Sequence, residues 1–284
     1  MKKLLTLLLT ALMALTAVFG LTACNKPENN SPVIVKDLIL VEEQYGIAAK
    51  KGNDALISKI NEALIAIADD ELVTIANSYG LKNELAVTSS TTNPLASASD
   101  NSWTGIVNRN KVVIGYTIFA PIAYDVVDDI PTKGFDIELA KKVFEYLNTT
   151  YSTNIVIEFL KIDWNAKETL LSGGSIDLVW NGLTITNDRL EQMCISVPYL
   201  NNKQVAVVMS KNASKYTSIE SMANAITGAE DGSAGEEQIS TRNIGKEYIK
   251  CSSQLDAYNK LKTGTLDVIV IDSVMAIYYI SMEK

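Results

Sequence analysis

The sequence predicts an α/β fold of layered, mainly parallel sheets, and three observations carry that prediction. Short apolar runs such as Lys111 to Tyr116, Ile155 to Leu160 and Ile176 to Trp180 alternate with helical segments. That alternation is the pattern of parallel strands buried under crossover helices. Breakers such as Gly173-Gly174 punctuate it. The chain has 284 residues, 47% of them hydrophobic, which is enough for two lobes with cores of their own.

The elements can be taken in order. Val33 to Val41 reads as a strand crossing between lobes, followed by a short strand at Tyr45 to Ala49. Asp54 is placed to cap a helix with Leu56, Ile57, Ile60, Leu64 and Ile67 on its apolar face. A second helix holds Leu72, Ile75, Ala76 and Tyr79 on one face and stops at Gly80. Thr88 to Ser102 is rich in Ser, Thr, Asn and Ala and reads as a linker. The strand at Lys111 to Tyr116 follows, then a helix from Phe135 to Leu147 with Leu139, Ala140, Val143 and Leu147 inward. Lys167 to Leu171 is helical. Val205 to Met209 and Leu266 to Ile271 are further strands.

A leader precedes all of this. Lys2 and Lys3 form a positive start, and Leu4 to Phe19 is apolar but short for a membrane span. Leu21-Thr22-Ala23-Cys24 has the lipobox pattern, which predicts a signal peptide over 1–23 and a diacylglycerol on Cys24. Each buried methylene of an acyl chain contributes about 0.8 kcal/mol, so several chains hold a protein at a membrane surface. Residues 24–32, polar and with two prolines, read as a tether.

Composition excludes several chemistries. The formal charge is −8, and removing the leader with its two lysines makes the remainder more acidic, so no nucleic-acid partner is expected. Histidine is absent, which removes Ser-His-Asp and Cys-His catalysis and the commonest zinc ligand. No catalytic residue, metal or cofactor is expected. Cys194 and Cys251 are expected as buried free thiols.

The most informative run is SGGSIDLVWNGLTITNDRLEQMCISVPYL, Ser172 to Leu200. A strand ends at Trp180, the turn NGLT follows, and a helix starts near Thr186 or Asn187. Helix-start N–H groups favour an anion, Arg189 one turn in has a fork that suits a carboxylate, and Thr184 adds a hydroxyl. Local chemistry equally allows a surface Arg189 paired with Glu191 or Asp188.

This run resembles the first-lobe signature of the family 3 extracellular solute-binding proteins, which feed amino acids to ABC importers. GFDIELAKKV at Gly134 to Val143, IDWNAKETLLSGGSIDLVWNG, DGSAGEEQ at Asp231 to Gln238 and LKTGTLDVIVIDSVMAIYYI resemble other segments of that family, in its order. The resemblance covers most of residues 111 to 284. It implies a two-lobed, type II periplasmic-binding-protein-like fold with two crossing hinge strands that closes on its ligand. It further implies that Arg189 pairs with a ligand α-carboxylate, with Asn181, Gly182 and Thr184 in the adjoining segment. Asp272 would bind the α-ammonium, where the residue types alone allow a mere cap for the next helix. Ser233 and Ala234 would hold the carboxylate through loop N–H groups. Phe119 and Trp164 would flank the ligand side chain, although Trp164 also suits plain core. Glu230, just before the second-lobe loop, would favour a polar or basic ligand over an acidic one. A pointing of Glu230 to solvent is the alternative.

EEQYGIAAKKGNDALISKINEALIAIADDELVTIANSYGL, from Glu42 on, resembles the C-terminal segment of the same family. The order therefore reads as a circular permutation. The expected boundaries are 33–41 for a second-lobe strand and hinge crossing, 42–87 for the first lobe, and 88–108 for a linker joining the former termini. Residues 109–199 then return to the first lobe and 200–284 form the second. The resemblance implies a monomeric, extracytoplasmic amino-acid-binding protein, anchored to the bacterial cell membrane through Cys24, with a permease and its ATPase as partners. A sensing role and a cleft enzyme of the dehydratase type are the alternatives.

Overall fold

The structure, a computed structural model, describes residues 30–283. The predicted signal peptide, Cys24 and most of the tether lie outside the described residues. The chain divides into two units, Met1–Asn30 and Ser31–Lys284, and the fold is that of the second. Strand β1 (Pro32–Lys50) is followed by helices α1 (Asp54–Ala66), α2 (Glu71–Ser78) and α3 (Ser102–Arg109). Next come β2 (Lys111–Tyr116), the hairpin β3 (Tyr124–Val127) and β4 (Ile130–Lys133), α4 (Phe135–Tyr151) and β5 (Val156–Lys161). Helix α5 (Lys167–Gly173), β6 (Leu178–Thr184), α6 (Asn187–Gln192), β7 (Met193–Ile195) and β8 (Leu200–Met209) continue the chain. Strand β9 (Ile226–Glu230), α7 (Ala234–Arg242), β10 (Glu247–Cys251), α8 (Gln254–Thr263), β11 (Val268–Asp272) and α9 (Ser273–Met282) complete it.

The strands lie in the order β10-β9-β11-β8-β1-β6-β2-β5, with β7 also on β1. Strand β2 is parallel to β5 and β6, and β9 is parallel to β10 and β11. Between these parallel sets run β1 and β8, antiparallel from Pro32 opposite Met209 to Tyr45 opposite Leu200. Two lobes thus share two long connecting strands. The first lobe buries Ile57, Leu64, Val112, Phe135, Leu139, Ala140, Val143, Leu147 and Leu178 in one cluster, as the helical periodicity predicts. The second lobe packs apolar clusters on the two faces of its sheet, one around Ala206, Val208, Val268 and Val270, the other around Val207, Ile269, Ile271 and Leu261. Each fully buried aliphatic side chain contributes about 1.5–3 kcal/mol.

Four local expectations are corrected. Instead of two short strands at 33–41 and 45–49, β1 is continuous over 19 residues, because β8 gives it a partner along most of its length. The NGLT turn after Trp180 lies inside β6, which extends to Thr184. Asp54 does not cap α1; the helix-start N–H groups of Ala55 and Leu56 donate to Asp100 Oδ2 at 2.6 Å and Ser102 Oγ at 2.9 Å. Those acceptors belong to the expected linker over 88–108. That segment is packed, not loose: Asn93 Nδ2 donates to Ser58 O at 3.0 Å, and α3 buries Ile106 in the first-lobe core. Among the described residues, no helix is long and apolar enough to cross a membrane.

Candidate functional site

Strand β6 supplies the backbone of the site. Its ladder with β1 sets Thr184 and Leu183 opposite Tyr45 and Gly46, then resumes with Val179 opposite Ala48. The residues between are out of register, and Gly182 takes φ +63°, a conformation that glycine tolerates without penalty. A Cβ there would lie 2.7 Å from Phe119 Cε1. The Gly182 N–H donates to Asp136 Oδ2 at 2.8 Å, and Tyr199 OH donates to the same oxygen at 2.8 Å. Asp136, at the buried start of α4, therefore holds the bulge in place. Burial pushes its carboxyl up to about 7.

Arg189 projects from α6, where Thr186 caps the first turn by accepting from the Arg189 N–H at 3.2 Å. Its Nη1 donates to Thr184 O at 2.8 Å and its Nη2 to Gly232 O at 3.2 Å. Neither Glu191 nor Asp188 is its partner, and among the described residues it makes no salt bridge; Glu168, Glu43, Glu237 and Asp272 act on it through space. Burial holds the guanidinium below its ordinary range.

Asp272 closes β11 and is 4% exposed. It precedes α9 without making a side-chain cap bond. Its Oδ1 accepts from Tyr45 OH, from Asn202 Nδ2 and, at 3.0 Å, from Gln204 Nε2; its Oδ2 accepts from Gln254 Nε2. The Asp272 N–H donates to Gln254 Oε1 at 3.0 Å. All these side-chain donors are neutral, and burial raises the carboxyl above the usual range.

Both groups line one cavity of about 10 Å³ between the lobes. The cavity brings together Phe119, Trp164, Asn181, Gly182, Thr184, Arg189, Glu230, Ser233, Ala234 and Asp272, the ten residues singled out in the sequence, with Thr117 and Gln254 beside them. That volume is about what one water needs, so a larger ligand enters only when the lobes part. Two buried acceptors on its wall, Asn181 Oδ1 and Glu230 Oε1, have no hydrogen-bond partner among the described residues. Glu230 is 5% exposed, so it does not point to solvent, and burial together with nearby Asp272 pushes it up to about 8. Trp164 both lines the cavity and packs against Leu171, Ile176 and Val179. Ser233 departs from its expected role. Its N–H donates to Glu230 O at 3.1 Å and its hydroxyl caps α7, so that N–H is used inside the loop and Ala234 remains as the loop residue for an anion.

The cleft is shut around this cavity. Lys167, 2% exposed, donates to Gly232 O at 3.2 Å alongside Arg189, and pairs with Glu168 at 3.1 Å. Asn165 Nδ2 donates to Asp231 Oδ2 at 3.2 Å. First-lobe donors thus meet the second-lobe loop at three points. A wider groove of about 760 Å³ flanks this seam and is open to solvent.

Sequence reasoning missed the residues that support the site. Thr117, Gln254, Asp136, Tyr45, Asn202 and Gln204 were passed over. Asn202 and Gln204 did leave a signal, since they lie at period two, hence on one face, within the polar run 201–204 that opens an otherwise apolar strand. Asp136 is likewise the one acid on the inward face of α4 among Phe135, Leu139, Ala140 and Val143.

Comparison with known proteins gives the same picture. Residues 112–270 match the profile of the bacterial extracellular solute-binding proteins, family 3. A probable histidine-binding protein of Neisseria gonorrhoeae is 28% identical over 152 residues, covering 52% of this chain and 53% of that protein. The arginine-binding extracellular protein ArtP of Bacillus subtilis (strain 168) is 27% identical over 173 residues, covering 59% of this chain and 63% of that one. The chain thus spans about half to two thirds of the length of the curated relatives it matches. An ABC uptake transporter substrate-binding protein from Streptococcus pneumoniae, solved with bound histidine, superposes with TM-score 0.58 at 32% identity, over 65% of this chain and 74% of that one. On the profile match, which spans more than half of its residues, the chain belongs to the bacterial extracellular solute-binding proteins, family 3.

Proposed function

We propose that this chain binds one free amino acid in the cleft between its lobes, which parts to admit it, and delivers it, outside the cytoplasm, to an ABC import permease and its ATPase. The observation that carries this reading is charge complementarity. A half-buried guanidinium that makes no salt bridge among the described residues and a buried carboxylate with neutral donors line the same cavity. A zwitterionic α-amino acid supplies the missing partner of each. Arg189 and Thr184, with the raised backbone at Gly182, take the carboxylate, and Asp272 takes the ammonium. Phe119 and Trp164 flank the side chain. Asn181 and Glu230, each with an unpartnered oxygen, accept N–H groups from it. The ligand is therefore polar or basic, since a cationic or N–H-bearing side chain favours the ionised form of Glu230 and an acidic one disfavours it. The histidine- and arginine-binding relatives support the same direction.

The order of the chain is permuted in this reading. Strand β1 lies between β8 and β6, antiparallel to both, while α1 and α2 cover the first lobe. A returning strand and two final helices moved ahead of the family-matched segment account for that order, with residues 88–108 bridging the former ends. The protein works as a monomer held at the membrane by acyl chains on Cys24, after cleavage of residues 1–23. It carries its ligand unchanged.

A thermal-shift screen against the twenty common amino acids tests the binding reading. A ligand at 1,000 times its Kd should stabilise the fold by about 4 kcal/mol. A cooperative melt that no amino acid moves would end the proposal, and strongest stabilisation by glutamate or aspartate would end the assignment of Glu230.

A further inference from the structure

Behind the ammonium site lies a second buried carboxyl that the reading above does not use. Glu43, on β1, is 9% exposed and lies beside Asp272. The two acids also share their donors. Asn202 Nδ2 donates to Glu43 Oε1 at 2.6 Å and to Asp272 Oδ1; Gln204 Nε2 donates to the same two oxygens at 2.9 and 3.0 Å. Glu43 Oε2 is buried with no partner. The titratable and charged groups that face the pair are Tyr45 on β1, Tyr199 just before β8, Glu230 on β9 and Arg189 on α6, and Arg189 acts only through space. The remaining neighbours, Asn202, Gln204 and Gln254, are neutral amides.

Two carboxyl groups side by side in a dry site do not both ionise, because repulsion and desolvation hold a proton between them. The empty site then carries one negative charge on two acids. An ammonium brought against Asp272 supplies positive charge and favours loss of that proton.

We propose that Glu43 and Asp272 act together as a one-proton carboxyl pair forming the ammonium subsite, and that amino-acid binding expels the shared proton to solvent. This rests on the amino-acid reading above. The balance is simple: the singly protonated pair and the ligand ammonium give two carboxylates facing one ammonium, and the proton goes to water. Affinity then rises with pH wherever the empty pair is protonated, by up to about tenfold per pH unit for one proton released. Burial and Asp272 push Glu43 up to about 8, which places the rise between about pH 6 and 8.

Titration calorimetry of the whole protein with L-arginine and with L-glutamine, at pH 7 in phosphate and in Tris, counts the protons released. About one proton is expected with L-glutamine and up to two with L-arginine, whose cation also favours ionised Glu230, with Kd for L-glutamine falling roughly tenfold from pH 6 to 7. With L-glutamine, Glu43→Gln should abolish the release and flatten the pH profile, while Glu230→Gln should keep the release. Ligand-induced infrared difference spectra of the unsubstituted protein should show loss of a protonated carboxyl band, which keeps the test open if Glu43→Gln fails to fold. Equal binding enthalpies in the two buffers overturn the proton-release step and leave the amino-acid reading standing. Release kept in Glu43→Gln but lost in Glu230→Gln overturns it in favour of Glu230. Absence of binding to these probes and to every other common amino acid overturns both.

Discussion

Arg189→Ala separates binding from folding. The unliganded protein loses two hydrogen bonds, to Thr184 O and Gly232 O, each with a net value of about 0.5–1.5 kcal/mol. Against that stands relief from partly desolvating a cation that has no carboxylate in contact, a cost of similar size. The two nearly cancel, so a residual of about 1 kcal/mol would move the melting temperature by only about 2–4 °C. Binding responds quite differently. Without the fork, the ligand carboxylate enters a buried cavity with no cation to meet it, and breaking such a pair costs about 2–5 kcal/mol. That is roughly a 30-fold to several-thousand-fold rise in Kd. Calorimetric titration with the preferred amino acid, paired with melts of the unliganded protein, measures both quantities. Arg189→Lys should fall between the two, since it keeps the charge and loses the planar fork. A Kd within about threefold of the unsubstituted protein, in a variant that melts normally, would refute the assignment of Arg189 to the carboxylate.

Other outcomes follow from the same geometry. Gly182→Ala forces a Cβ to 2.7 Å from Phe119 at positive φ, so binding should drop by at least tenfold, a loss of about 1.4 kcal/mol; unchanged affinity would mean that the bulge is not part of the cradle. Asp136, Glu43 and Glu230 hold their protons up to about 7, 8 and 8, above their unfolded values. Their stabilising contribution is fully present below the unfolded values and is lost as pH rises through the folded ones. The unliganded protein should therefore resist urea better near pH 5 than near pH 8.5, and a steady gain over that range would contradict the burial of these acids. Cys194 and Cys251 are buried, free and pushed up to about 12 and 11, so a thiol reagent at pH 8 should label them only as fast as the protein unfolds.

Much of this protein was legible before any coordinates. Periodicity alone set the inward face of α4 at Leu139, Ala140, Val143 and Leu147, because a helix must present one apolar stripe to a core. The short buried run before Asp272 marked β11, since a strand covered on both faces has no polar positions to alternate. Family resemblance then singled out the ten residues that line the cavity. What remained hidden depended on contacts between distant segments. Asp100 and Ser102 satisfy the start of α1 from across the expected linker, and no rule of local capping finds them. The Ser233 N–H is consumed by Glu230 O in a turn whose shape the residue names do not reveal.

The sequence by itself determined which residues carry charge and which faces are apolar, because those are properties of side chains and of helical and strand periods. Tertiary structure decided which charges lose water and which of them meet. Arg189 could have paired with Asp188 or Glu191 on a surface; it lines a closed cavity opposite Asp272 because β6 and β11 end on facing sides of the cleft. Glu43 looked like one of many acids until β1 and β8 paired along their length and set it beside Asp272 in a dry site. Desolvation and proximity, which turn ordinary carboxylates into a proton-holding pair, exist only once the two lobes have packed.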